Sequence, residues 1–412
     1  MNRLNQLSGQ LNPTGKDAIR QKNPDDVVIV GAYRTALTRG GKGKFKDVGS
    51  DYILSKFIAE LLKKTGVEPK DIQDVAVGNV LNKGAGATEH RGAMLSAGIP
   101  YTAGFIAINR FCSSGLMAIS DIANKIKTGE IECGLALGVE SMSKNYGAGA
   151  LPTVDEHLID DPEMQKCMIP MGITNENVAA KYNVPRAKQD AFAAKSFNKA
   201  EAAQAAGKFK SEILPIEALI NEGDEDDEKW VTVTVDTDEG IRKGVTAESL
   251  GKIRPAFKAD GVTTAGNSSQ VSDGAAGVLL MKRSVAEKKG LPIVGKFVLC
   301  SVVGVPPEIM GVGPAYAIPE VLKRTGLQVN DIDLYEVNEA FAAQALFSLE
   351  HVGIPLDRVN KNGGAIALGH PLGATGARQY ATALPQMKPG DIGLSSMCIG
   401  SGQGAASIFV KE

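Results

Sequence analysis

The sequence predicts an α/β protein built from two duplicated halves, with a loop domain inserted in the first half. Three observations predict it. The segment LKKTGVEPKDIQDVAV at 62–77 aligns without a gap on LKRTGLQVNDIDLYEV at 322–337, an offset of 322 − 62 = 260 residues. Short apolar runs alternate with amphipathic helical stretches, the pattern of sheets covered by helices. From 147 to 262 the character changes to an Ala-rich helix, an acidic run and a lone apolar strand. Residues 1–26 are then an N-terminal segment and linker, 27–146 with 263–285 the first half, 147–262 the insert, and 286–412 the second half.

Taken in order, RLNQLSGQL at 3–11 puts Leu4, Leu7 and Leu11 on one helical face, and Pro13, Gly15 and the polar residues up to Asp26 read as a linker. VVIV at 27–30 opens the first half as a strand. The helix that follows aligns Ile53, Leu54, Phe57, Ile58, Leu61 and Leu62 on one face and stops at Thr65-Gly66, as its copy stops at Thr325-Gly326. FIAI at 105–108 reads as a short buried strand, and LALGV at 135–139 as another. In the insert, a helix follows Pro185, NEGDEDDEK at 221–229 reads as a solvated turn, and WVTVTV at 230–235 as an isolated strand. GVLLM (277–281), KFVLCSVVGV (296–305), LYEV (334–337), GLSSM (393–397) and SIFV (407–410) supply the remaining strands. Their continuous apolar character predicts largely parallel sheets buried on both faces.

Hydrophobic residues make up 43% and charged residues 22% of the 412, a globular balance that leaves no case for disorder. The formal net charge of −2 gives no reason to expect a nucleic acid or an anionic membrane as partner, and no apolar run is long enough to span a bilayer. The five cysteines (Cys112, Cys133, Cys167, Cys300, Cys398) are scattered without a CxxC pair, so a reducing compartment fits better than a disulfide framework. The four histidines show no metal-ligand spacing, and no metal is expected. GGKGKF at 40–45 lacks the spacing of a phosphate-binding loop.

The chemistry-bearing residues fall near turns. In AINRFCSSGLMAI, Cys112 sits between an apolar strand and a helix expected from about Leu116, where unpaired N–H groups and the helix dipole favour the thiolate. His370 precedes Pro371 and a Gly/Ala-rich helix. The 260-residue offset maps position 112 onto 372, so the two segments occupy equivalent places and should face each other across a pseudo-twofold axis. Cys398 ends a strand in front of a glycine-rich turn. A nucleophile, an imidazole and a second thiol make a constellation for acyl transfer. Read alone, Asn338 and Glu339 fit a helix cap and Ser269 a polar turn.

NRFCSSG, TAGNSSQVSDGAA, NEAFAAQ, NGGAIALGHPLGATGAR and CIGSGQG together resemble the thiolase family over nearly the whole chain. The resemblance implies a five-layered αβαβα core and CoA-dependent cleavage of 3-ketoacyl-CoA to acetyl-CoA and a shortened acyl-CoA. CoA would be a co-substrate, with no permanently bound cofactor, and the chain a homodimer. It further implies Cys112 as nucleophile, Cys398 as acid and base, and His370 as activator of Cys112. His370 with a water on Asn338 would form one oxyanion hole, and the N–H groups of Cys112 and Gly400 the other. Ser269 would contact the pantetheine of CoA, and Met171 and Phe341 the substrate. Arg3, Leu4, Gln10 and Leu11 resemble a type 2 peroxisomal address read by an import receptor, which implies the peroxisome matrix. Two departures stand out. Pro170-Met171-Gly172 replaces the His-Met-Gly of short-chain members, which implies a less polar wall and a longer acyl chain, and Ser401 stands where many members have glycine. Rival readings are an acetoacetyl-CoA-forming thiolase, a decarboxylating ketoacyl synthase, a Cys-His hydrolase and a non-catalytic lipid carrier.

Overall fold

The computed structural model describes residues 14–147, 153–223 and 227–412; Arg3, Leu4, Gln10 and Leu11 lie outside them. The helices and strands used below are, in chain order, α1 (Lys16–Arg20), β1 (Val27–Arg34), β2 (Thr38–Arg39), α2 (Ser50–Thr65), β3 (Asp74–Gly78), α3 (Ala87–Ser96), β4 (Gly104–Ile108), α4 (Ser114–Thr128) and β5 (Cys133–Ser141). The insert adds α5 (Met171–Lys181), α6 (Arg186–Ala205), β6 (Ile216–Asn221) and β7 (Trp230–Val235). There follow β8 (Ser272–Lys282), β9 (Gly295–Gly304), α7 (Gly313–Thr325), β10 (Leu334–Val337), α8 (Ala342–Val352), α9 (Thr375–Ala383), β11 (Ile392–Ile399) and β12 (Gln403–Lys411).

The duplication is visible in the pairing. The first half runs β1-β8-β5-β3-β4 and the second repeats the order as β9-β12-β11-β10. In each, the first two pairings are antiparallel and the next is parallel. The helices before the repeat, α2 and α7, both end on a left-handed glycine, Gly66 at φ 69° and Gly326 at φ 66°, 260 residues apart. The expectation of largely parallel sheets is therefore corrected. A strand covered by helices on both faces is apolar throughout in either direction, so composition could not report direction. Strands β1 and β9 also pair at Val28↔Lys296 and Ile29↔Gly295, which joins the halves edge to edge.

Layering follows from which faces are apolar. The predicted stripe of α2 is buried against the first sheet, all six residues 6% exposed or less. Helix α7 covers the second sheet in the same way with Ile318, Val321 and Leu322. Between the sheets lie α4 and α9. Leu116, Ile119, Ile122 and Ile126 of α4 pack in one cluster with Tyr380 and Ala381 of α9, Ile29 of β1 and Phe409 of β12. These two helices touch strands of both halves and each other, giving the order αβαβα.

Three smaller expectations change. β4 is an edge strand, half exposed, with Ile106 at 39%; an apolar run of four residues reads alike in a core strand and an edge strand. The strand WVTVTV is not isolated but pairs antiparallel with β6 from Ile216↔Val235 to Asn221↔Trp230. The linker is docked from residue 14 onward. Gly15 N–H donates to Thr325 O at 2.7 Å, Ile19 is fully buried, and Arg20 Nε donates to Gly390 O at 2.8 Å. The insert packs on the outer face of the first sheet, where Phe197, Phe209, Ile216 and Val235 join the cluster of Ile53 and Phe57. A buried ion pair fastens it. Arg34 of β1 reaches Glu212 at 2.6 Å and Asp238 at 2.6 Å.

The central helices meet through glycine. A Cβ on Gly115 would stand 2.6 Å from Gly373 O, and one on Gly376 would overlap the Leu116 nitrogen. Gly376→Ala should therefore lower unfolding free energy by about 1–3 kcal/mol through overpacking. Gly92→Ala, on the exposed side of α3 with open space around it, should raise it by up to about 1 kcal/mol. Chemical denaturation of the two variants checks this; equal effects would remove the close-approach argument.

Candidate active site

The turn that carries Cys112 is strained and tied. Phe111 has φ 46°, in the left-handed region that a bulky side chain rarely occupies. Short bonds hold it there: Ser114 Oγ donates to Phe111 O at 2.6 Å, Arg110 N–H donates to Ser114 Oγ at 2.9 Å, and Phe111 N–H donates to Asn109 Oδ1 at 3.0 Å. The helix then starts at Ser114, two residues after Cys112 and two before the start expected from sequence. The Cys112 thiol lies near its own N–H and that of Gly400, both of which favour its charged form. Gly400 comes from the turn after β11, where Ser401 takes φ 64°. That left-handed conformation favours glycine and accounts for the glycine usual at this place.

His370 faces the same cavity, of about 290 Å³, which is lined by Cys112, His370, Ser269, Met171, Phe341 and Phe257 among others. Its Nδ1 lies 2.6 Å from Thr375 Oγ1, and that hydroxyl donates to Pro371 O at 3.1 Å. The hydroxyl proton is thus spent, Nδ1 carries the imidazole hydrogen, and Nε2 presents its lone pair. Asn338 Nδ2 is 3.3 Å from that Nε2, while Asn338 Oδ1 is buried without a partner among the described residues. The cap reading of Asn338 and Glu339 is overturned, because Phe341 is the N-cap of α8. Glu339 instead accepts from Ser196 Oγ at 2.6 Å and Asn360 Nδ2 at 2.7 Å, joining the insert to the 360–366 loop.

Burial dominates the electrostatics. It pushes the Cys112 thiol up to about 11 despite the two N–H groups, with Glu140 adding to the rise. It pushes His370 down to about 3, helped by Arg378. The sequence-based expectation of a helix-stabilised thiolate is corrected: at rest the pair is thiol and neutral imidazole, since desolvation outweighs the dipole. Cys398 is fully buried and its thiol is likewise raised, chiefly by burial and then by Cys112. Its Sγ donates to Gln344 Oε1 at 3.3 Å.

Of the residues singled out in the sequence, Cys112, His370, Ser269, Met171 and Phe341 line the cavity, and Cys398, Asn338 and Gly400 stand behind it, all three buried. Pro170 is exposed, precedes α5, and is not among the lining residues; the wall there is Met171 with Phe257 and Phe341, whose rings meet edge to face at 6.3 Å. Sequence reasoning missed Thr375, Gln344 and Glu140. Glu140 accepts from Asn79 Nδ2 and from the N–H groups of Val80, Leu81 and Gly373, and burial pushes it up to about 7. Thr375 follows His370 by five residues, a helix-start spacing that could have flagged it. No group of three or more metal-ligating side chains occurs among the described residues.

The family model described as "Thiolase, N-terminal domain" matches residues 27–284, and "Thiolase, C-terminal domain" matches 291–411. The chain belongs to the thiolase family. It is 70% identical to the peroxisomal 3-ketoacyl-CoA thiolase A of Candida tropicalis, over all of both chains. The crystal structure of the dimeric peroxisomal thiolase of Saccharomyces cerevisiae is similar with a TM-score of 0.90 and 56% identity, covering 96% of this chain and 100% of that one. A second structure of the yeast thiolase, described as five-layered A-B-A-B-A with two core domains of identical topology, matches at 0.79 and 51% identity over 95% and 99% of the two chains.

Because no thiolate is stored in this thiolase, alkylation of Cys112 by iodoacetamide should keep rising through the alkaline range toward pH 11, read by peptide mass spectrometry. A Cys112 rate that levels off below pH 8 would show a thiolate–imidazolium pair at rest instead.

Proposed function

We propose that this thiolase cleaves 3-ketoacyl-CoA with CoA, yielding acetyl-CoA and a chain-shortened acyl-CoA, as the closing step of fatty-acid β-oxidation in the peroxisome matrix. The observation that carries the reading is the one cavity that Cys112 and a neutral His370 line together, with the N–H groups of Cys112 and Gly400 near the Cys112 thiol. Cys112 attacks the 3-keto carbon and passes its proton to His370 Nε2. The C2–C3 bond breaks, its electron pair staying on C2 of the departing acetyl-CoA as an enolate. Cys398 S–H supplies the proton to C2, and the acyl group remains on Cys112 as a thioester. CoA–SH then gives its proton to the Cys398 thiolate, the CoA sulfur attacks the thioester, and Cys112 leaves, recovering its proton from His370.

Charge appears on oxygen in both halves of this cycle, and fixed donors stabilise it by about 3 kcal/mol each. The N–H groups of Cys112 and Gly400 serve the thioester oxygen. Asn338 and His370 serve the enolate oxygen, with Asn338 Oδ1 free to hold a water. Ser269 and the insert 147–262 would hold CoA, and Met171, Phe257 and Phe341 the acyl chain. The apolar wall supports acyl groups longer than acetyl over the acetoacetyl-CoA-forming alternative; profiling C4 to C16 substrates decides between them. CoA is consumed as a co-substrate. The half-exposed apolar edge β4 supports a homodimer. Arg3, Leu4, Gln10 and Leu11 are proposed as the contact with the import receptor.

The assay is loss of a 3-ketoacyl-CoA on addition of CoA. Cys112→Ala should abolish it, and binding of acyl-CoA without turnover by the unaltered chain would favour a carrier. Cys398→Ala should still be acylated at Cys112 by a short acyl-CoA, while exchange of acetyl-CoA methyl protons with D₂O falls by about 10²–10⁴-fold. Deleting residues 1–13, short of the docked Gly15 and Ile19, should leave activity unchanged and keep the chain in the cytosol; import of that truncated chain alone would refute the address.

A further inference from the structure

Gln344 is the third residue of α8, fully buried, with its backbone N–H donating to Asn175 Oδ1 at 3.3 Å and its Cβ against Gly311. The two ends of its side-chain amide are in different situations. Oε1 accepts from the Cys398 thiol, and that is its one partner; Nε2 has none among the described residues. A buried amide nitrogen without an acceptor is costly, and in native proteins it usually has a reason. Burying a hydrocarbon side chain of the same length would avoid the cost.

We infer that Gln344 is a positioning residue whose amide follows the proton of Cys398, accepting through Oε1 from the thiol and donating through Nε2 to the thiolate. The inference rests on the acid and base role proposed for Cys398. Loss of the proton to C2 of the enolate removes the S–H donor and leaves an oxygen lone pair facing a negative sulfur. A half turn about the terminal torsion of glutamine, which is soft and broad, exchanges Oε1 for Nε2 and replaces that repulsion by an N–H···S⁻ bond. The turn breaks no other hydrogen bond, because among the described residues neither end of the amide has another partner. When CoA–SH returns a proton to the sulfur, the amide turns back. The protein thereby lowers the cost of a thiolate in a site where burial opposes it, and does so in the part of the cycle in which that thiolate exists.

The test compares Gln344→Met, matched in length and lacking both donor and acceptor, with Gln344→Leu as a second replacement in case the first packs poorly. In both, alkylation of Cys112 by iodoacetamide, which moves no proton through Cys398, should stay within about 2-fold of the unaltered chain, which also reports an intact fold. Exchange of acetyl-CoA methyl protons should fall about 10- to 100-fold. In a Cys398→Ala background, Gln344→Met should cost nothing further, since the residue acts only through that thiol. In the unaltered chain the S–H stretch of Cys398, obtained as an infrared difference against Cys398→Ala, should lie below the frequency of a free thiol. Exchange at the unaltered rate in the Gln344 variants, an equal extra loss in the Cys398→Ala background, or a free S–H frequency would overturn the inference. If instead Cys398→Ala itself exchanged normally, the role of Cys398 would fall, a separate outcome.

Discussion

The rest of the structure depends on one packing constraint: two helices must be buried between two sheets with their starts in backbone contact. An α-helix with side chains is about 10 Å across, and the central layer is single, so α4 and α9 can converge only where side chains are absent. Gly115, Gly373 and Gly376 supply that place, with Gly78 and Gly138 on the flanking strands. Because the helix starts converge, the loops that lead into them converge as well. Cys112 lies two residues before α4 and His370 five before α9. Cys112 and His370 are thus brought to one cavity by the same contact that closes the central layer, and neither loop reaches far to get there. Glu140 fixes the arrangement, accepting from the turn after β3 and from Gly373 N–H at 3.0 Å.

That location sets the chemistry. Desolvation in the central layer disfavours ionised groups on both sides of the proton transfer. Burial raises both thiols and lowers the imidazole. The resting site holds no charge on these three residues, and every charge in the cycle appears transiently. What the protein provides instead is fixed dipoles: backbone N–H groups and the Asn338 amide. In a low-dielectric site such donors act strongly and need no reorganisation. The Gln344 Nε2, unpartnered among the described residues, is consistent with this, being costly in the resting state and useful only when charge develops.

How much was legible in the sequence follows from range of interaction. The stripe Ile53, Leu54, Phe57, Ile58, Leu61 and Leu62 and the stop at Gly66 are local features, and each stands where periodicity put it. The duplication was legible because its 260-residue offset survives in residues that form the same helix, loop and strand twice. Strand direction was not, since an apolar run is symmetric under reversal, and β4 was misread as buried because an edge has no signature in four residues. Cys112, His370 and Cys398 were found through turn chemistry and family motifs. The thiolate expected at Cys112 was the part that changed, because the dipole of a helix start is visible in sequence while the depth of burial is not. Gln344 and Thr375 were missed for a similar reason. A glutamine or threonine in a helix has many ordinary uses, and only the thiol at 3.3 Å and the imidazole at 2.6 Å single them out.

Two left-handed residues flank the site, Phe111 before the nucleophile and Ser401 after the Gly400 donor. Each costs about 1–3 kcal/mol in isolation, and both persist because their neighbourhoods are over-determined. Phe111 is gripped by Ser114, Arg110 and Asn109. The turn of Ser401 is pinned on its far side, where Gly402 O accepts from Val305 N–H at 2.8 Å. The strain has a geometric purpose. A left-handed residue reverses the chain direction within one step, which sets the Cys112 thiol near its own N–H and that of Gly400. A relaxed turn at Phe111 would re-aim Cys112 relative to those donors, and one at Ser401 would move Gly400 off the sulfur. The stability of the central layer, with its glycine contacts and the apolar cluster of Leu116, Ile119 and Tyr380, is what holds these two turns in the conformation the reaction needs.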